Sequence, residues 1–161
     1  MDKYIHSMWK ACSLSLLILF LLSGCMKSED RSGDNYYFSL TGESETWSVD
    51  GYELMIQGDR FQAGNGTITA EKEEEIIAYS FDMEVHTVHD GNDTIIHRTS
   101  STGKGQDISQ SETGRIEGSE TIVSKNAEQL EHVYMLIAWR QDGEDMEEKI
   151  VLYDEEERIH N

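Results

Sequence analysis

The chain reads as an all-β protein: an antiparallel β-sandwich of about seven strands, immunoglobulin-like, behind an N-terminal helical signal peptide. Three observations predict the sandwich. Apolar and polar residues alternate from Ile77 to His86, the period of a strand with one buried face. Asp-Gly pairs stand at Asp90-Gly91 and Asp142-Gly143, between segments rich in β-formers, where a hairpin would turn. Turn signals recur at short spacing throughout, with little that reads as helix.

The first element lies outside the sandwich. Lys3 and Lys10 precede a charge-free apolar run over residues 11–22. A membrane-crossing helix needs roughly 20 apolar residues, more than this run provides. A basic start, a short apolar run and small residues after it are the parts of a secretory signal. Leu22-Ser23-Gly24-Cys25 resembles the lipobox of bacterial lipoproteins. That resemblance implies a diacylglyceryl group on the Cys25 sulfur and cleavage just before it. Two acyl chains anchor stably where one is marginal. The expected divisions are a signal peptide over residues 1–24, a flexible acidic tether over 25–35 and a β-sandwich domain over 36–161. The expected address is the extracytoplasmic face of a cell membrane.

The strands follow in order. Residues 36–40 open the domain, and residues 47–57 form a second strand ending at a Gly58-Asp59 turn. A third runs toward Ala70 from Phe61, or from Thr67 after the Gly64-Asn65-Gly66 signal. Ile77, Tyr79, Phe81, Met83 and Val85 then alternate with polar residues as one inward face. The Asp90-Gly91 turn returns the chain through residues 94–99. With those two residues central, Val85 falls opposite Ile96, and His97 falls opposite Glu84 on the outward face. A Gly91-Asn92 turn would instead set His86 opposite His97. Residues 100–119 are rich in Ser, Thr and Gly and read as an edge strand or long loop. Residues 121–123 are a short strand, and 124–131 one or two helical turns capped by Ser124 or Asn126. Residues 133–139 are nearly all apolar, the pattern of a central strand covered on both faces. Asp142-Gly143 turns into a last strand over 149–153.

Composition narrows the partners. The formal net charge is −19, which excludes nucleic acid, because phosphate binding rests on Lys and Arg. It also favours cationic partners and leaves membrane attachment to the lipid on Cys25. Cys12 leaves with the signal and Cys25 takes the lipid, so the domain keeps no thiol for a disulfide, a zinc site or a nucleophile. Phosphate-binding loops, dinucleotide fingerprints and nucleophile elbows are missing from the sequence, so no cofactor is expected and the domain reads as non-enzymatic.

Two segments carry a second resemblance. Thr41-Gly42-Glu43-Ser44-Glu45-Thr46-Trp47 resembles a Gly-Glu-Ser-Glu-Asn-Trp stretch near the mature start of small uncharacterised lipoproteins of Bacillus and its relatives, with Thr46 in place of Asn. Leu136-Ile137-Ala138-Trp139, the Asp142-Gly143 turn and Glu148-Lys149-Ile150-Val151-Leu152 resemble their C-terminal hairpin. The resemblance implies a secreted, lipid-anchored β domain in a Gram-positive cell and no activity.

Candidate site residues fall into two groups. Glu43, Glu45 and Trp47 form an aromatic flanked by carboxylates, which suits either a recognition loop or a Trp closing the end of the core. Glu84, His86 and His97 are metal-ligand types that the hairpin could bring together, though without the spacing of a strong zinc motif. Asp-Gly-Asn-Asp at 90–93 reads as turn chemistry rather than a calcium loop. The leading expectation is a membrane-tethered module that binds an extracytoplasmic protein or cationic partner. The alternatives are a metal-binding surface module or an enzyme acting on cell-envelope material.

Overall fold

A computed structural model describes residues 35–58, 60–72, 75–118 and 129–155. The signal peptide, nearly all of the tether with Leu22, Ser23, Gly24 and Cys25, the strand expected over 121–123 and most of the helical turn expected over 124–131 lie outside the described residues. Among those described, the protein is a sandwich of two antiparallel sheets, as its alternation predicts.

The first sheet contains β1 (Asn35–Glu43), β2 (Trp47–Gln57), β3 (Arg60–Gly64), β4 (Thr67–Ala70), β7 (Gln110–Glu112) and β8 (Arg115–Gly118). β1 pairs along one edge of β2. The other edge is shared by β3, with Leu54 opposite Ala63, and β4, with Val49 opposite Ile68. β8 and β7 extend those two in turn. Both candidate starts for the third strand are therefore used, as halves of one interrupted rank. The interruptions face each other and satisfy each other's backbone: Asn65 N donates to Gly114 O (2.8 Å) and Thr113 N to Gly66 O (2.9 Å).

The second sheet has the order β10 (Glu144–Asp154), β9 (Leu130–Gln141), β5 (Ile77–His89), β6 (Asn92–Asp107). The chain lays its first ranks side by side before crossing to this sheet. An immunoglobulin domain crosses after two strands, so the sandwich is shared but the strand order is this protein's own. Both Asp-Gly pairs are two-residue hairpin turns, with His89 opposite Asn92 and Gln141 opposite Glu144. All four turn residues have positive φ (48° and 71°, 54° and 87°), the mirror-image turn whose twist matches that of strands.

Two irregularities reset the phase of β5 and β6. The first lies between Ala78 and Ser80. It turns Ala78 inward and leaves Ile77 and Tyr79 exposed, so the inward face begins at Phe81 rather than Ile77. The second lies between Val85 and His86, where β6 carries an extra residue: Val85 pairs with His97 and His86 with Ile95. Ile96 and His97 are consecutive and both buried, the mark of a β-bulge.

The core is closed by aromatics from both sheets. Trp47 is 0% exposed and meets Trp139 and Phe81 edge to face, at 5.4 and 6.0 Å between ring centroids. β9 is central, as expected, but not covered on both faces. Val133, Met135, Ile137 and Trp139 are buried, while Tyr134, Leu136 and Ala138 are only half-buried on the outer face. The polar stretch after Ser100 is the edge of β6 followed by β7 and β8. Edge strands pack on one side only and need no regular apolar pattern.

Candidate functional site

The sequence-predicted residues separate into two places. Glu43 and Glu45 are exposed beside the turn between β1 and β2, but Trp47 points into the core and cannot meet a partner. That turn is fastened to β10. Glu148 accepts from Ser44 Oγ (2.6 Å), Thr46 N (3.0 Å) and Thr46 Oγ1 (2.5 Å). Burial works to raise the Glu148 pKa, yet these donors hold it below the usual carboxylate range. Gly42 completes the contact: an added Cβ would lie 2.9 Å from Ile150 Cγ2 and closer still to Val151 O. The recognition-loop reading of this segment gives way to a structural one, with Trp47 as its core anchor.

The metal set Glu84, His86 and His97 is divided by the bulge at Ile96. His97 is 3% exposed and faces inward, where its Nδ1 lies 3.1 Å from the Tyr52 hydroxyl of the opposite sheet. Burial pushes the His97 pKa down and that of Tyr52 up. The neutral ring accepts the Tyr52 proton, which satisfies a hydroxyl that the core would otherwise strand. Among the described residues no three His, Cys, Asp or Glu side chains gather as a metal site.

Glu84 and His86 remain together on the outer face of the second sheet, with companions the sequence did not reveal. His86 Nδ1 lies 2.7 Å from Asp93 Oδ1 and 3.1 Å from the Tyr134 hydroxyl, and that hydroxyl donates to Asp93 Oδ2. One arrangement satisfies all three: the His86 Nδ1–H is shared between Asp93 and the Tyr134 oxygen. The His86 and Tyr134 rings stack at 4.6 Å and 12°. Lys149 Nζ lies 3.8 Å from the centre of the Tyr134 ring, a cation–π distance. His86 Nε2 is 3.4 Å from Glu84 Oε2 but unaligned for a hydrogen bond. The other Glu84 oxygen takes Arg98, whose Nε lies at 2.7 Å.

The electrostatics follow from these contacts. The Arg98 guanidinium holds the Glu84 pKa down against partial burial. Burial would raise Asp93, but Tyr134 and His86 outweigh it and lower its pKa. Burial and the Asp93 carboxylate push Tyr134 up to about 12, so it is a hydrogen-bond donor at neutral pH and not a base.

The cluster lies within an ordered surface. Ile95, His86, Tyr134 and Val151 are successive cross-strand partners over β6, β5, β9 and β10. Arg98, Glu84, Leu136 and Lys149 form the next row. Ile95 and Val151 are 47% and 48% exposed, one at each end of the stacked pair. The two consecutive inward residues at the bulge are Ile96 and His97, an apolar residue beside a polar one, so the sequence carried no distinct signal of it. No family model, curated protein or solved structure matches the chain.

Proposed function

We propose that this is a non-catalytic, lipid-tethered module of the extracytoplasmic space that holds a protein partner on the outer face of its second sheet. The supporting observation is the row Ile95–His86–Tyr134–Val151. Its two aliphatic ends are exposed, its centre is a rigid aromatic stack, and charges border it. An apolar, aromatic centre inside a polar rim is the composition of a binding surface. The Tyr134 hydroxyl and His86 Nδ1 are both tied to Asp93, and the raised Tyr134 pKa makes it a weak acid that keeps its proton at neutral pH, which suits recognition rather than acid–base chemistry.

The face carries Asp82, Glu84, Asp93 and Glu147 against Arg98 and Lys149, in a chain of net charge −19. Such a field steers a cationic partner and repels acidic ones. The lipobox-like Leu22-Ser23-Gly24-Cys25 supplies the address, and the lipid on Cys25 supplies the membrane. Purification of the full chain from membranes with its bound proteins tests the reading. Ile95→Asp and Val151→Asp are each expected to release the partner while the fold is kept. A partner retained by both variants would contradict the assignment of this face.

A further inference from the structure

We propose that the outer face of the first sheet, opposite the protein-binding face, carries a shallow site for an uncharged saccharide. The site is built by registration. Tyr37, Met55, Gln62 and Glu117 are successive cross-strand partners over β1, β2, β3 and β8. Beside that row lies a depression of about 250 Å³ lined by Glu53, Met55, Gln62, Ala63, Asn65 and Arg115. A second, of about 110 Å³, abuts it at Met55 and Gln62 and extends to Arg60 and Glu117. Tyr37, 57% exposed, flanks the first through its hydrogen bond to Glu53.

The polar groups are held in place before any ligand arrives. Glu53 accepts from the Tyr37 hydroxyl (2.8 Å) and from Asn65 Nδ2 (2.5 Å). These two bonds, Asn65's the larger, hold the Glu53 pKa down. Arg115 Nη2 donates to Gln62 Oε1 (2.7 Å) and Glu117 Oε1 (3.0 Å), and Gln62 Nε2 donates to Glu117 Oε1 (3.2 Å). Among the described residues each planar group keeps unused capacity: the Asn65 amide oxygen, the second N–H of Gln62, several Arg115 donors and Glu117 Oε2.

Charge decides the ligand class. Arg60 and Arg115 balance Glu53 and Glu117, so the depression is neutral within a chain of net charge −19. Neither an anion nor a cation gains from the site as a whole. What it offers is a dense set of oriented donors and acceptors around apolar Met55, with an aromatic ring alongside. A polyhydroxyl ring fits both features: its hydroxyls bridge the planar groups and its C–H face packs on the Tyr37 ring and Met55. The volume is below the roughly 300–1,000 Å³ of an enclosing small-molecule pocket, which suits one segment of a polymer lying across the sheet.

The test is affinity electrophoresis of the detergent-solubilised full chain through gels containing dextran, mannan or glycol chitin, followed by calorimetric titration with chitohexaose. At least one of these is expected to bind. Tyr37→Ala and Gln62→Ala should each weaken that binding about tenfold, the scale of losing one good contact, and Tyr37→Phe should keep most of it. Ile95→Asp, on the opposite sheet, should leave it unchanged, which separates this site from the protein-binding face. Unaltered melting temperatures would show that the variants fold. No binding to any probe, binding indifferent to both alanine variants, or binding only to polyphosphate added as an anionic control would overturn the proposal.

Discussion

Ser44 Oγ, in the turn between β1 and β2, donates a 2.6 Å hydrogen bond to Glu148 Oε2 on β10, 104 residues away. With both Thr46 donors on the same carboxylate, it ties the two sheets at their shared edge. Glu148→Ala leaves these donors unsatisfied in a partly buried site and should lower stability by about 1–3 kcal/mol. Ser44→Ala should cost less, because two Thr46 donors remain. Urea midpoints of both single variants and the double variant measure the coupling.

The same carboxylate sets an acid limit. Its folded pKa lies below the ordinary glutamate value of 4.5, so the unfolded chain binds the proton first as pH falls. The contribution is complete above that value and is lost as pH drops through the folded pKa. Glu148→Gln should flatten the fall in stability below about pH 4.5, measured by denaturation across that range.

His97 acts at a higher pH. Burial lowers its pKa from 6.5, so protonation favours the unfolded state. Stability should therefore decline as pH falls below 6.5 and level off once the folded ring is also protonated. His97→Gln keeps an acceptor for Tyr52 but does not titrate. Its urea midpoint should change less than that of the wild type between about pH 7.5 and 5, if one buried histidine accounts for the slope.

Trp47 and Arg98 should mark opposite ends of the mutational scale. Trp47→Ala removes a fully buried ring that touches Trp139 and Phe81 and should cost about 3–5 kcal/mol. Arg98→Ala breaks an ion pair whose arginine side chain is 65% exposed, and should cost under about 1 kcal/mol. Thermal melts of the two variants give the comparison.

Cys25→Ser should release the protein from the membrane, since the acidic tether and surface offer no attachment to anionic lipid. Fractionation of cells expressing either form, with radiolabelled palmitate on the wild type, reads this out.

What could be read in advance was local. The Asp90-Gly91 and Asp142-Gly143 turns were legible because a mirror-image turn demands those residue types. The inward face from Phe81 to Val85 was legible because burial repeats every second residue. The site was less so. One extra residue at Ile96 reverses the face of everything beyond it, which took His97 from the surface to the core and put Arg98 opposite Glu84. Asp93 and Tyr134 are 41 residues apart, and their pairing depends on the register between β5 and β9, which neither strand's own pattern contains. Tyr134 also stands in a run apolar enough to read as buried on both sides. Strand pairing, more than strand identity, assembled the Ile95–His86–Tyr134–Val151 row.

Site-specific photocrosslinking in intact cells tests that face most directly. A photoreactive residue would be placed in turn at Ile95, Val151, Asp82 and Asp50, the last on the outer face of the first sheet. One discrete protein adduct from Ile95 and Val151, a weaker one from Asp82 and none from Asp50 is the predicted result. Equal adducts from all four positions, or an adduct from Asp50 alone, would contradict the assignment of the Ile95–His86–Tyr134–Val151 row as the partner surface.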